Sequence, residues 1–288
     1  MEIKISNLTK RFGTKTVLDN INLEIPSGMF GLLGRNGAGK TTLMRILTTL
    51  LIKNEGSVTI CGVPVENTKD IRKTIGYLPQ DFSMYPNMTV YEVMDYLGIL
   101  SEIPKHERKD IILKLLDKVN LLDCKKVRVK ALSGGMKRRL GIAQAIMHNP
   151  KVLIVDEPTA GLDPEERIRF RNLLCEIAKD RIIILSTHIV GDIEATCENI
   201  AILNSGTVIY SGTTNELKEL ASNKVYTVTK NHKDLNKIKD KYIVTSMISQ
   251  GVNATLRIIS DSKPDEDAVP CEPTIEDGYM LLMGGQAK

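Results

Sequence analysis

Apolar positions follow several rhythms along this 288-residue chain, and each predicts a different element. Residues 2 to 25 alternate apolar with polar, as in Glu2-Ile-Lys-Ile-Ser6 and Ile21-Asn-Leu-Glu-Ile25, the period of short strands in an antiparallel layer. Met29-Phe-Gly-Leu-Leu33, Lys151-Val-Leu-Ile-Val-Asp156 and Arg181-Ile-Ile-Ile-Leu-Ser186 are nearly continuous apolar runs and read as strands, the second apolar on both faces as in a central parallel strand. Helical spacing takes over in Thr42–Leu51, where Leu43, Ile46, Leu47, Leu50 and Leu51 share a face. It returns between residues 82 and 131, with one stripe at Val90, Val93, Met94 and Leu97 and another at Ile112, Leu115, Leu116 and Val119. After Ala221 the pattern shifts again. Val225–Thr229 and Tyr242–Thr245 read as strands flanking a charged helical stretch, Lys233–Lys239. Asp261–Asp267 is a polar loop, and a helix begins near Pro273, with acids in its first turn.

The strand Met29–Leu33 and the helix beginning at Thr42 flank Gly34-Arg-Asn-Gly-Ala-Gly-Lys-Thr41. Strand, Gly-x-x-x-x-Gly-Lys-Thr, amphipathic helix is a phosphate-binding loop in the context that such a loop requires. Gly34, Gly37 and Gly39 let the backbone N–H groups of Arg35, Asn36, Ala38 and their neighbours curl around phosphates. Lys40 brings charge to the terminal phosphates, Thr41 offers a hydroxyl to Mg²⁺, and Thr42 belongs to the helix N-terminus, whose partial positive charge favours anions. The chain therefore binds a nucleoside triphosphate.

The strand Lys151–Asp156 ends in Asp156-Glu157-Pro158, and the proline stops it at the end where open α/β sheets place their ligands. Asp156 is expected beside Thr41 as a second holder of Mg²⁺. Glu157 is expected to face the γ-phosphate and orient or deprotonate the attacking water.

Between these motifs lies Leu132-Ser-Gly-Gly-Met136, with Ser133 as a helix N-cap and Met136, Leu140, Ala143 and Met147 on one face. Here the chain resembles the ATP-binding cassette (ABC) ATPases of transporters, whose signature is Leu-Ser-Gly-Gly-Gln, over about the first 220 residues. The resemblance implies further site residues: Gln80 in Gly76-Tyr-Leu-Pro-Gln80, Asp163 in Ala160-Gly-Leu-Asp163, a switch histidine at His188, and Phe12 as the aromatic that stacks on adenine. It implies ATP with Mg²⁺ held by Thr41, Gln80 and Asp156. It also implies that two cassettes meet head to tail, each ATP lying between one chain's phosphate loop and the other's Ser133, Gly134 and Gly135. Met136 departs from the family's Gln and puts in doubt any polar contact made behind the signature. The run Gly134-Gly-Met-Lys-Arg-Arg-Leu-Gly-Ile-Ala-Gln144 resembles the ABC-2 branch of bacterial exporters.

The implied fold class is α/β: a P-loop NTPase core with a mostly parallel sheet, an N-terminal antiparallel β layer, an inserted helical subdomain and a small α+β C-terminal extension. The expected boundaries are 1–221 for the cassette, with the helical subdomain at about 82–148, and 222–288 for the extension. No apolar run approaches the roughly 18 residues of a membrane span, and Met1-Glu-Ile-Lys-Ile-Ser6 reads as a strand rather than a secretion leader. Any link to a membrane is thus expected through a separate polytopic permease, with the chain cytoplasmic and peripheral on the inner face. Five scattered cysteines without a Cys-x-x-Cys pair suit reduced thiols, not zinc. A net charge of +4, with eight Tyr, four Phe and no Trp, offers little stacking surface, so no nucleic acid is expected. Three rivals carry less of the sequence. An importer ATPase shares the core motifs. A soluble ABC ATPase acting on ribosomes or DNA would call for two cassettes or long heptad insertions, and a small-molecule kinase leaves the signature without a role.

Overall fold

A computed structural model describes residues 1–284. They form two compact units, one ending at Ser211 and the other starting at Gly212. The first unit runs β1 (Glu2–Phe12), β2 (Lys15–Pro26), β3 (Gly28–Leu33), α1 (Lys40–Leu47), β4 (Glu55–Ile60), β5 (Val63–Pro64), α2 (Thr68–Thr74) and β6 (Ile75–Leu78). Then come three longer helices, α3 (Val90–Leu100), α4 (Lys105–Lys118) and α5 (Gly134–Ala145). The chain returns through β7 (Val152–Asp156), α6 (Pro164–Ile177), β8 (Ile182–Thr187), α7 (Val190–Glu194), β9 (Asn199–Asn204) and β10 (Thr207–Thr213).

Two sheets enclose α1. The antiparallel sheet has the order β2-β1-β4-β5, and the mostly parallel one β10-β9-β3-β8-β7-β6. Every residue of β7 and β8 is buried, as a strand covered on both faces requires. The alternating residues Ile3, Ile5, Ile21, Leu23 and Ile25 pack into one core with Leu43, Met44, Ile46 and Leu47 of α1. The N-terminal strands are longer than their alternation suggested, because register shifts at Ile5/Leu8, Leu8/Lys10 and Lys10/Arg11 carry β1 past the breaks in its pattern. Conversely, α1 is shorter. The chain turns left-handed at Thr49 (φ 61°), so Leu50 leaves the helical face and is 61% exposed.

β3, β8 and β7 are adjacent and parallel, with Leu33 level with Thr187 and Asp156 level with Ser186. The three loops that leave their C-terminal ends therefore start side by side. Between residues 82 and 131, α3 and α4 bury Val90, Val93, Met94, Ile112 and Leu116. A capping box of Thr89 and Glu92 starts α3.

The second unit contains α8 (Thr214–Glu219), β11 (Val225–Asn231), α9 (Leu235–Lys241), β12 (Ile243–Gln250), β13 (Asn253–Ile259), β14 (Val269–Pro270) and α10 (Ile275–Gly284). Its sheet has the order β12-β13-β11-β14. The unit begins ten residues before the expected start at residue 222, because α8 packs against α10: a Cβ on Gly278 would lie 2.1 Å from the Leu217 carbonyl oxygen. Strand β13 was not anticipated from the pattern, although its Ala254, Leu256 and Ile258 alternate as a strand should and are buried. Asp277 is fully buried beneath this sheet, where it accepts hydrogen bonds from Arg257, Thr245 and both the backbone and the hydroxyl of Thr274.

Candidate functional site

The loop after β3 is shaped by two requirements on its glycines. Gly34 lies so close to β9 that a Cβ would come within 2.4 Å of the Leu203 carbonyl oxygen. Gly39 has φ +109°, a conformation open to glycine alone at little cost, and it sits immediately before α1. Arg35, Asn36 and Gly37 are exposed at the rim, whereas Ala38, Gly39 and Lys40 are buried. The Lys40 ammonium folds back into the loop, donating to the carbonyls of Gly34 at 2.7 Å and Arg35 at 3.3 Å.

Lys40 also meets Glu157. Its Nζ stands 3.2 Å from Glu157 Oε1, and both side chains are only 5–6% exposed. Glu157 is placed by a left-handed turn (φ 48°) at the end of β7, with its N–H bonded to the Ser186 carbonyl. Such a conformation is costly outside glycine and survives where its surroundings hold it. The other carboxylate oxygen lies 2.6 Å from Nδ1 of His188, which follows β8. An ionised carboxylate only accepts, so Nδ1–H is the donor.

Asp156 is fully buried, and neither carboxylate oxygen has a well-formed hydrogen bond within the chain. Burial pushes its carboxyl above the usual range; the neighbouring Ser186 and Thr41 hydroxyls and Lys40 pull it down, while Glu157 pushes it up. The charge extends to Tyr77, which burial and Asp156 together push up to about 12. Two unsatisfied oxygens beside a threonine hydroxyl and a phosphate-type loop fit a hard, oxygen-loving divalent ion with part of its water shell.

Lys40, Thr41, Asp156, Glu157 and His188 are thus one cluster. Gln80, Phe12, Asp163 and the signature are not part of it in this chain. Gln80 is exposed and lines a cavity of about 420 Å³ with Phe82, Gly134, Lys137 and Arg138. Its loop is tied to α5 through Arg138, which lies 5.8 Å over the Phe82 ring and donates to the Pro79 carbonyl at 3.5 Å. Phe12 is 49% exposed, with Lys10 Nζ 4.9 Å from its ring centre. Ser133 caps α5 by accepting from the Met136 N–H, and Ser133 and Gly134 face outward. Gly135 is buried against Glu166, where a Cβ would be 2.4 Å from Oε2. Asp163 caps α6 by accepting from the Glu166 N–H at 2.8 Å. Sequence reasoning missed a buried polar pair behind the cluster, Thr159 and Asp192. Asp192 belongs to a five-residue helix, too short to show a period.

The family profile described as "ABC transporter" matches residues 18–160. The ABC transporter ATP-binding protein YxlF of Bacillus subtilis, itself uncharacterised, is 34% identical over 247 residues, covering 85% of this chain and 82% of its own. This chain belongs to the ABC transporter family. It is an ATP-binding subunit with the ABC ATPase domain. The Nod factor export ATP-binding protein I of Burkholderia thailandensis is 34% identical over 220 residues, covering 75% of this chain and 72% of its own. Among solved structures, an ATP-binding cassette captured as a dimer in a post-hydrolysis state with ADP and Pi superposes with a TM-score of 0.66. That match is 26% identical and covers 73% of this chain and 98% of the other. ABC cassettes turn over ATP, and the fold of this one is the family's.

Proposed function

We propose that this chain is the ATP-hydrolysing subunit of an exporter, working as a pair of cassettes on a separate membrane permease. The observation that carries the chemistry is the joining of the buried Lys40 and Glu157 with the exposed His188 in one chain of contacts, beside an Asp156 whose two oxygens are unsatisfied. Lys40 would exchange Glu157 for the terminal phosphates of ATP. Glu157, freed from Lys40 but still held by His188, would accept the proton of the attacking water. His188 would fix the carboxylate's direction and reach the γ-phosphate, which is positioning and electrostatic work. Mg²⁺, held by Thr41 and Asp156 with Gln80 as a further ligand, would supply charge neutralisation on the phosphate oxygens.

Phe12 offers an exposed ring for adenine. The backbone of Arg35, Asn36, Gly37, Ala38 and Gly39, with Thr42 at the helix start, would cradle the phosphates. The outward-facing Ser133 and Gly134, with Gly135, stand at the N-terminus of the 12-residue α5, well placed to meet the γ-phosphate of a second cassette. Asp163 would act across that interface. Gln80 and Arg138 link the site to α3–α5, which we take as the helical subdomain of about 82–148 within a cassette spanning 1–221. Residues 222–288 are then an extension that carries none of these side chains. No helix among the described residues is long and apolar enough to cross a membrane, which supports docking on a separate permease from the cytoplasmic side. Export rather than import is favoured by the Gly-Gly-Met signature and by the relative named for Nod factor export.

Tagged protein carrying Glu157→Gln, solubilised gently with ATP and analysed by mass spectrometry, tests this reading. Co-recovery of one polytopic membrane protein in near-equal amount is expected. Recovery of ribosomes or DNA, or of no membrane protein, would overturn the transporter assignment.

A further inference from the structure

Glu157 and His188 sit just past the ends of adjacent strands; the sheet ties the backbone of Glu157 to the Ser186 carbonyl, but its pairing ends there and leaves the direction of the two side chains to the loops. Two residues beyond Glu157 and four beyond His188, the same two loops are joined again. The Thr159 hydroxyl donates to Oδ2 of Asp192, and each of these residues is only 1% exposed. Asp192 is in turn fixed from several sides. Its N–H bonds to the Ile189 carbonyl at 3.1 Å, and its carbonyl accepts from the Thr196 hydroxyl at 2.7 Å. Its second carboxylate oxygen has no hydrogen bond but stands 3.6 Å from the Arg171 guanidinium, which donates to the Gly191 carbonyl at 3.2 Å. Arg171 comes from α6, the helix that Asp163 caps.

A buried carboxylate is costly unless it is well paired, and here one oxygen is left with a charge at a distance. A core position filled for packing alone has cheaper solutions. The arrangement does instead what a packing residue cannot, by closing a ring: Glu157 to Thr159 along one loop, Thr159 to Asp192 by hydrogen bond, Asp192 back to His188 along the other, and His188 to Glu157 at 2.6 Å. Breaking the outer bond frees the two loops to separate at the inner one.

We propose that Thr159 and Asp192 are positioning residues, a clasp that sets the contact between His188 and Glu157 and, through Arg171 and α6, the start of the loop leading to Asp163. The inference rests on Glu157 as the base. Both residues are almost fully buried, with no surface to offer a nucleotide, so the clasp acts on turnover and not on nucleotide binding. Misplacing a general base by an ångström or so costs about 10- to 100-fold.

The test measures ATP hydrolysis and ATP affinity for the full chain as wild type, Thr159→Val, Thr159→Ser and His188→Ala, and for Thr159→Val combined with His188→Ala. Thr159→Val keeps the shape and removes the hydroxyl. It is expected to lower kcat at least tenfold with the Kd for ATP within twofold, and Thr159→Ser to restore most of the loss. In the His188→Ala background, where there is no contact left to position, Thr159→Val is expected to add less than twofold. Wild-type kcat in Thr159→Val, or the same fold loss in both backgrounds, would overturn the clasp. Should Thr159→Val fail to fold, Asp192→Asn is read by the same criteria in the same two backgrounds. Glu157→Gln, run alongside, separates the two ideas: normal turnover by that variant sinks the base, whereas its loss beside a fully active Thr159→Val sinks only the clasp.

Discussion

Replacing Glu157 with Gln would separate the two jobs that the proposed function gives this side chain in different states. In the absence of ATP the carboxylate is the counter-charge of a buried lysine, 3.2 Å from Lys40 Nζ. Taking one partner from a buried ion pair costs about 3–5 kcal/mol when the other is left bare. Lys40 would not be bare, because it keeps the carbonyls of Gly34 and Arg35 as acceptors. Each retained hydrogen bond to a charged group offsets on the order of 1 kcal/mol, which leaves a net cost of about 1–3 kcal/mol. For a unit of this size, 1 kcal/mol moves the melting temperature by roughly 2–4 °C, so Glu157→Gln alone should melt several degrees below wild type. With ATP bound, the phosphates would take over as counter-charge and the penalty would disappear. The stabilisation by Mg-ATP, read by differential scanning fluorimetry, should therefore be larger for the variant than for wild type by the same several degrees. Phosphate release, assayed in parallel, should fall by about 10²–10⁴-fold, the usual share of a general base. An ATP-induced shift no larger than that of wild type would refute the idea that ATP displaces Glu157 from Lys40. Normal phosphate release would remove Glu157 as the base.

The parts of this protein that were legible in its sequence are those in which function constrains adjacent residues. The loop Gly34–Thr41 lies within eight positions because a strand, a tight turn and a helix N-terminus must follow one another directly, and β3 and α1 were accordingly placed from apolar pattern alone. Asp156 and Glu157 were legible for the same reason, at the end of a run that is buried throughout. Gln80, Phe12 and Asp163 could be named only by resemblance. Each stands alone in an unremarkable stretch, and the structure leaves all three exposed, outside the cluster around Lys40 and Glu157. What the pattern hid was three-dimensional closure. Thr159 and Asp192 are 33 residues apart in elements too short for a period, and only the adjacency of β7 and β8 brings them together. β13 was overlooked although Thr255 and Arg257 alternate regularly with the buried Ala254, Leu256 and Ile258; the run is short and carries only two large apolar residues before its end. The structure spends the Arg257 charge on Asp277, beneath the sheet.

Three further outcomes follow from the geometry. Phe12→Ala should leave the melting temperature within about a degree, since the ring is half exposed, yet weaken ATP binding by the roughly 1–3 kcal/mol typical of base stacking; a nucleotide titration with unchanged Kd would count against the adenine platform. Asp156→Asn should stabilise the chain at pH 7 in the absence of Mg-ATP while lowering hydrolysis. Burial raises this carboxyl in the folded state, so its ionisation opposes folding as pH rises through the folded value, and a melt showing net destabilisation would contradict that sign. The opposite sign holds in the second unit. Burial pushes Asp277 up, but the donors Arg257, Thr245 and Thr274 outweigh it and hold the carboxyl below its usual value. A depressed folded-state pKa contributes stability that is complete above the unfolded value of about 4 and is lost as pH falls through the folded one. Hydrogen exchange of the β11 and β13 amides, corrected for intrinsic rates, should therefore show protection falling away below about pH 4 in the wild-type chain. Asp277→Asn should begin less protected at pH 6, because Arg257 loses its partner, and should lose less on acidification. Parallel losses in the two proteins would mean that some other carboxylate governs the acid response of this sheet.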